Sequence, residues 1–179
     1  DWSKLWLETA GVNTIRPEIQ AADGHYTNVA VIQEPPVAPE GVAQTLRPHR
    51  IRIGLYEADG VNVKRYDSVE VDIDGPRTEI PELVGKQVAD LLLLNDDDLT
   101  FVKIRLDEHS LATAVHRLND IQDSLARALI WGAAWDMTRD GELSATEYLT
   151  MVNHADLNGV EVAVAQQILM QARTAIEYY

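Results

Sequence analysis

The spacing of hydrophobic residues changes from that of a strand to that of a helix between residues 91 and 111. Residues 91–94 are four consecutive leucines, a pattern typical of a strand buried on both faces. Residues 101–106 alternate apolar and basic side chains, which predicts a half-exposed strand. After Asp107, a suitable helix cap, Leu111, Val115 and Leu118 recur at helical spacing. We therefore expect a sheet before this region and helices after it.

The N-terminal residues are predicted to form a short helix. Trp2, Leu5 and Trp6 have helical spacing over residues 2–9, and Gly11 stands where a C-terminal cap belongs. Two tryptophans on so short a helix imply a surface that covers them. That surface is either the domain that follows or a part of the protein outside this sequence, and the spacing alone leaves both open.

Residues 13–80 show the signals of a β-sandwich. Strands are predicted at residues 13–19 and 25–33, joined at Asp23-Gly24, and a loop with three prolines follows at residues 34–40. The clearest hairpin pairs residues 49–57 with 61–72 around Asp59-Gly60, and its facing polar positions carry opposite charges. With a short strand near residues 78–80, this gives about seven short strands. We predict an antiparallel immunoglobulin-like β-sandwich over residues 11–106.

Residues 107–179 contain four helical patterns. The first covers residues 108–121, and the second covers 124–137 with a stripe of Leu125, Ala128, Leu129 and Gly132. The third follows a capping box made by Ser144 and Glu147. The fourth begins near Gly159 and repeats an apolar residue at every fourth position, namely Val160, Val164, Ile168, Ala172 and Ile176. Short connections between helices predict antiparallel neighbours, so this part is a stack of helical hairpins.

Three strings of sequence carry a family resemblance. They are LRPHRIRIGLY, NDDDLTFVKIRLDEHSL and RALIWGAAWDMTRDGELSATEY, and they occur in that order along the chain. The chain resembles the C-terminal part of zinc aminopeptidases of the aminopeptidase N type, most closely their actinobacterial branch. The resemblance implies that residues 1–10 end a catalytic domain, that residues 11–106 form a sandwich, and that residues 107–179 begin a longer helical domain.

Composition and charge narrow the possible partners. The 15 basic and 29 acidic residues give a formal charge of -14, so nucleic acid is not an expected partner. No apolar run approaches the roughly 20 residues of a membrane helix, and the N-terminus has no signal-peptide pattern. Cysteine is absent, which excludes disulfides and thiolate zinc sites and fits a cytoplasmic location. The chain starts without methionine and stops directly after a helical pattern, so we expect a piece of a longer protein.

The residues expected of a zinc aminopeptidase site are absent from this sequence. The resemblance implies an H-E-x-x-H helix, a further glutamate ligand and a G-x-M-x-N segment, and none of them occurs here. None of the five histidines, His25, His49, His109, His116 and His154, is followed by glutamate. His109 and His116 are seven residues apart, wider than the spacing of a metal pair on one helix, and are predicted to be surface residues. We assign no catalytic, cofactor-binding or metal residues.

Two acidic segments resemble cation sites. The segment from Asp136 to Glu147 matches an EF-hand loop at most positions, but it lacks a paired loop, and the capping box accounts for Ser144 and Glu147 without a metal. Asp96, Asp97 and Asp98 are consecutive, so they cannot all face one ion in ordinary backbone geometry. We predict a solvated turn there, with its charge partly offset by Lys103 and Arg105.

The sequence thus predicts a non-catalytic fragment of a zinc aminopeptidase. By resemblance, the parent removes amino-terminal residues from peptides with zinc-activated water, and the fragment separates the catalytic and helical domains and walls off the cavity. Its intramolecular partner is the catalytic domain. We also expect self-association through Trp2, Trp6 and the last helix, or disorder of residues 1–10. The alternatives are a self-contained acidic module for a basic partner and a single calcium-binding loop.

Overall fold

The computed structural model describes residues 2–156 and 161–179, without the side chain of Trp2. Within these residues, one short α-helix precedes seven strands, and four further α-helices follow. The elements are α1 (Trp2–Leu7), β1 (Thr14–Ala22), β2 (His25–Glu34), β3 (His49–Ala58), β4 (Val63–Ile73), β5 (Arg77–Glu79), β6 (Leu91–Asp96), β7 (Lys103–Ile104), α2 (Glu108–Arg117), α3 (Ser124–Arg139), α4 (Ala145–His154) and α5 (Val162–Tyr178). The predicted fold class, all-β followed by all-α, is confirmed.

The strands form two sheets. One sheet has the order β5-β2-β1-β7, and the other has the order β4-β3-β6. Among the described strands, β1 and β7 pair in parallel through Thr14 with Lys103 and Ile15 with Ile104. The other pairs are antiparallel. The last strand of the sandwich therefore lies beside the first, directly before the chain enters the helices.

Both predicted hairpins are present. Asp23 and Gly24 have positive φ values of 51° and 75°, as a tight turn between β1 and β2 requires. In the hairpin of β3 and β4, the register places Arg50 opposite Asp72 and Arg52 opposite Glu70. The expected cross-strand charge pairs form, and Arg50 Nη1 donates to Asp72 Oδ1 at 3.0 Å.

One hydrophobic core runs from the sandwich into the helices. Strand β6 is buried at every position, as its run of leucines predicts, because it pairs with β3 while α2 and α3 pack on it. Two hydrogen bonds attach α2 to this strand and to the residue that precedes it. Leu92 N donates to Ser110 Oγ at 2.8 Å, and Thr113 Oγ1 donates to Asp90 O at 2.6 Å. The two parts are thus packed as one unit.

The strand predicted at residues 101–106 is shorter than expected. Only Lys103 and Ile104 pair, and Phe101 is 74% exposed. Asn95, Asp97 and Asp98 adopt positive φ, so the chain turns away from the sheet of β6 before it joins the other sheet as β7. The expected outward position of Arg105 is also wrong, because its side chain is only 4% exposed.

The helix starts were predicted better than the helix faces. Asp107 accepts from His109 N and Ser110 N, and the Ser144 and Glu147 capping box is present. The predicted stripe on α3 is wrong, since Leu125 is 41% exposed and Gly132 is exposed. The buried face of α3 instead comprises Ala126, Ile130, Trp131, Ala133, Ala134, Met137 and Thr138.

The fourth helical pattern also drifts from the buried face. A strict four-residue repeat advances by about 40° per step beyond a full turn of a helix with 3.6 residues per turn. Ile168 is accordingly 1% exposed, whereas Ile176 is 71% exposed. Gly159 and Val160, where this helix was expected to begin, lie outside the described residues. No helix in the described ranges is long and apolar enough to span a membrane.

Candidate functional site

A cluster of charged side chains joins the sandwich to the helices. We call Arg16, Lys103, Arg105, Asp140 and Glu142 the junction cluster. Arg105 donates to Glu142 Oε1 at 2.8 Å and to Asp140 Oδ2 at 2.5 Å. Arg16 Nη1 donates to Glu142 Oε2 at 3.0 Å, and Lys103 Nζ donates to Asp140 Oδ2 at 3.1 Å. Three cations from β1 and from the segment around β7 thus hold two carboxylates from the loop after α3.

Local backbone geometry brings these groups together. The parallel pairing of β1 with β7 places Arg16 near Arg105, whose backbone N donates to Ile15 O at 2.9 Å. On the other side, Gly141 ends α3 with a φ of +79°, and Glu142 N donates to Met137 O at 2.7 Å. This turn directs the carboxylates before and after Gly141 towards the sandwich.

The carboxylates of the junction cluster are held in their charged form. Burial alone would raise the pKa of Asp140, but hydrogen bonds from Lys103 and Arg105 outweigh it and lower that pKa. The pKa of Glu142 is lowered for the same reasons, with burial opposed by Arg16 and Arg105. Arg16 also bonds to Glu34 Oε1 at 2.9 Å, which raises the pKa of its guanidinium. The cluster is therefore an ionic connection rather than a set of proton donors.

The EF-hand-like segment is a loop whose oxygens already have protein partners. Asp136 Oδ1 accepts from Arg139 at 2.7 Å, and Thr138 Oγ1 donates to Ala134 O at 2.8 Å. Asp140 belongs to the junction cluster, while Ser144 and Glu147 bond to each other. The candidate ligands thus face different neighbours. Across residues 2–156 and 161–179, the structure has no group of three or more His, Asp or Glu arranged to hold a metal ion.

The prediction of a solvated turn at Asp96, Asp97 and Asp98 holds only in part, because Asp98 is exposed but Asp97 is half-buried. Asp96 is completely buried, and its carboxylate accepts from Tyr56 Oη at 3.0 Å and from Arg65 Nη1 at 2.8 Å. Arg65 also bonds to Asp97 Oδ1 at 2.8 Å, and Arg52 pairs with the same carboxylate. Burial and the nearby Asp96 raise the pKa of the Tyr56 hydroxyl. The offsetting charges are therefore Arg52 and Arg65, not the predicted Lys103 and Arg105.

A buried arginine fixes the N-terminal helix. Arg47 is 4% exposed, and its guanidinium donates to the carbonyl oxygens of Leu5, Thr9 and Ala10 at 2.9, 3.1 and 3.2 Å. The same group donates to Asn13 Oδ1 at 2.9 Å. One side chain thus binds the end of α1, the segment after it and the residue before β1.

Trp6 packs against the same region. Its ring lies edge-on to that of His49 at 5.2 Å and 83°, and the Arg47 guanidinium lies 5.6 Å from its centroid. For Trp6, the covering surface is thus the domain that follows. His49 is 3% exposed, and burial together with the charge of Arg47 lowers its pKa to about 4. The other four histidines are exposed, as predicted for His109 and His116.

Sequence reasoning missed the residues that make these connections. These residues look like ordinary charged positions in the sequence: Arg47, Arg65, Arg105, Asp140 and Glu142. Arg47 bonds to Asn13, 34 residues away, and Arg65 bonds to Asp96, 31 residues away. Arg105 is 35 residues from Asp140 and 37 residues from Glu142. Only the register and the fold bring such partners together. Arg105 lies in a segment that alternates apolar and basic residues, and this pattern predicted an exposed side chain, whereas the structure buries it.

Comparisons with known proteins show two similarities. Residues 91–179 match the ERAP1-like C-terminal domain family, so the matched region begins at β6 within the sandwich. The chain is 50% identical over 182 aligned residues to a protein described as aminopeptidase N from Streptomyces lividans. That alignment covers 99% of this chain and 21% of the relative, so the chain spans about a fifth of the curated relative it matches.

Proposed function

Because this chain belongs to the aminopeptidase N family as part of its non-catalytic C-terminal region, we propose that it is the rigid spacer and cavity wall of a longer zinc enzyme. That enzyme removes amino-terminal residues from peptides. The chain's role is to hold the helical part at a fixed position relative to the catalytic domain, so that the enclosed space restricts which peptides enter.

The junction between sandwich and helices is the observation that carries this proposal. A spacer transmits a position only if its two ends do not move independently, and domains that share a small polar interface usually do move. Here α2 is hydrogen-bonded to β6 and to Asp90, the residue before β6. The Arg105 guanidinium is bonded to both Asp140 and Glu142. The hydrophobic core is also continuous across the junction. These contacts support a single rigid unit.

The catalytic zinc belongs, in this proposal, to the part of the enzyme outside this chain. The sequence has no H-E-x-x-H motif. When bound in the catalytic domain, zinc would act as a Lewis acid and lower the pKa of its water. We propose a cytoplasmic location as well, supported by the absence of cysteine.

Self-association of the isolated chain also belongs to this proposal. Three apolar residues on the outer face of α5 are largely exposed, namely Leu169 (56% exposed), Met170 (58%) and Ile176 (71%). Exposed apolar side chains on one helix favour contact with another apolar surface. Sedimentation of the chain should show a dimer that weakens when Met170 and Ile176 are replaced by serine. A strictly monomeric wild-type chain would contradict this point.

The spacer role is tested in the longer enzyme with Arg105→Met, which retains much of the side-chain volume but breaks the ionic connection. We expect kcat/KM for a single-residue chromogenic substrate to stay within about twofold of wild type. The ratio of kcat/KM for long and short peptides should change several-fold, because the cavity wall moves. Arg173→Met, on an exposed pair 78% accessible at the arginine, is the control. An unchanged length preference in a folded Arg105→Met enzyme would contradict the role.

A further inference from the structure

Two exposed histidines lie close together at the C-terminal ends of two different helices, α2 and α4. His116 lies in the last turn of α2, and His154 is the last residue of α4. Their ring centroids are 6.1 Å apart, with the rings inclined at 44°. We propose that this pair binds one divalent transition-metal ion of the zinc and nickel class, a site separate from the chemistry of the parent enzyme and independent of the spacer role.

The distance between the rings suits an ion held between them. Zinc lies about 2.0–2.1 Å from a histidine nitrogen, so two rings on one tetrahedral ion have centroids roughly 5 Å apart. The observed 6.1 Å therefore needs to close by about 1 Å. Rotation about the side-chain bonds of two exposed residues supplies that movement without a change in the backbone. Imidazole is a preferred ligand of zinc, nickel and copper ions.

The backbone that carries the two rings is already fixed. Asn119 Nδ2 donates to His154 O at 2.6 Å, and Asp156 N donates to Asn119 Oδ1 at 2.9 Å. These bonds tie the end of α4 to the turn that follows α2. A site whose backbone is ordered before binding loses less entropy when the ion arrives.

The electrostatic surroundings favour a cation. The C-terminal ends of helices carry partial negative charge, and both rings lie at such ends. The neighbouring positive charge of Arg117 is paired with Asp120. Among the described residues, no third histidine or carboxylate completes a larger group, so water fills the remaining coordination positions. The site is therefore an open, two-ligand site.

The sequence could not indicate this pair. His116 and His154 are separated by the whole of α3 and by most of α4. The other histidine of α2 is His109, seven residues before His116. The packing of α2 on α4, with the C-terminal ends of both helices adjacent, replaces that neighbour by a histidine on another element.

The test is a titration of the 179-residue chain with nickel chloride and, separately, zinc chloride at pH 8, since metal binding requires neutral imidazole. Calorimetry gives the Kd, and the histidine ring signals in NMR spectra give the positions that respond. The variants are His116→Ala and His154→Ala, with His109→Ala as the matched control on the same helix as His116. All three histidines are exposed, so the substitutions leave the core intact.

We expect one ion per chain, with a Kd that rises at least tenfold in His116→Ala and in His154→Ala and stays within twofold in His109→Ala. The ring signals of His116 and His154 should shift together. No binding to the wild type at millimolar metal would overturn the proposal. So would a loss caused by only one of the two substitutions, or an equal loss in His109→Ala.

Discussion

Arg105 donates through Nε to Glu142 Oε1 at 2.8 Å, and this bond connects the segment after the last strand of the sandwich with the loop after α3. The arginine side chain is 4% exposed and that of the glutamate is 31% exposed. An ion pair with one buried partner is costly to break, because the remaining charge loses its compensation. The relationship therefore links the stability of the chain to the relative placement of its two parts.

Removal of the Arg105 charge should destabilise the whole chain. We expect Arg105→Met to lower the free energy of unfolding by about 2–3 kcal/mol, because Asp140 and Glu142 then lie partly buried without their main cation. Urea unfolding followed by circular dichroism gives the value. Arg173→Met is the matched control, since its pair with Glu177 is exposed and worth less than about 0.5 kcal/mol. Equal changes in the free energy of unfolding would show that the junction cluster stabilises the chain no more than an exposed ion pair does.

Two glycines should respond in opposite directions to alanine. At Gly54, an added Cβ would lie 2.1 Å from Asp96 Oδ2, and that buried carboxylate is held by Tyr56 and Arg65. We expect Gly54→Ala to cost about 2 kcal/mol or more in the free energy of unfolding. At Gly132, in the middle of α3, nothing lies within 4 Å, so Gly132→Ala should stabilise by up to about 1 kcal/mol.

The same urea unfolding measurement distinguishes the two variants. A neutral effect at Gly54 would mean that Asp96 can move aside, and the account of its tightly held carboxylate would then be wrong. A loss of stability at Gly132 would mean that this position on α3 is covered in solution.

His49 should make the chain less stable as the pH falls. Its pKa in the folded state, about 4, is below the ordinary value of 6.5, so the unfolded chain binds the proton more readily. The contribution of neutral His49 to the free energy of unfolding is fully present above pH 6.5 and is lost progressively as the pH falls towards 4. The loss over this range is at most about 3 kcal/mol. His49→Gln should flatten this part of the stability profile, whereas His109→Gln should not.

Urea unfolding at half-unit steps from pH 7.5 to 4 measures that slope. Parallel profiles for the wild type and His49→Gln would indicate that another group is responsible. The acidic limb below pH 4 has a different origin, since the lowered pKa values of Asp140 and Glu142 make stability fall as these carboxylates become protonated.

Arg47 should determine the order of the N-terminal helix. Arg47→Lys keeps the charge but cannot reach three carbonyl oxygens and Asn13 Oδ1 at once, because it lacks the planar fork. We expect amide hydrogens of residues 2–12 to exchange at least tenfold faster in this variant, with the sandwich unchanged. Hydrogen exchange followed by mass spectrometry gives the rates. Arg50→Lys, on an exposed pair with Asp72, is the control. Unchanged exchange in Arg47→Lys would remove this role from Arg47.

The sequence was sufficient for the features that depend on nearby residues. The turn at Asp23-Gly24, the caps at Asp107 and Ser144, and the burial of β6 follow from a few adjacent positions, and all are present. The pairing of Arg50 with Asp72 also follows, because a hairpin register is set by its turn.

The sequence was insufficient where a distant element decides the outcome. Arg105 alternates with apolar residues as an outward residue would, yet the loop after α3 covers it. Asp96 stands in a polar turn sequence, yet Tyr56 and Arg65 from other strands enclose it. The apolar stripe on α3 that looked most regular is half exposed, since the packing of β6, α4 and α5 selects the opposite face.

The rigidity of the junction is the central claim, and a distance measurement tests it most directly. The chain has no cysteine, so Ser68→Cys on β4 and Asn153→Cys on α4 introduce two exposed and unique sites for spin labels. Pulsed electron paramagnetic resonance then gives the distribution of distances between sandwich and helices. We predict a single narrow distribution for the wild-type background and a broader one when Arg105→Met is added. A broad or multiple distribution in the wild-type background would contradict the claim that the chain is a rigid spacer.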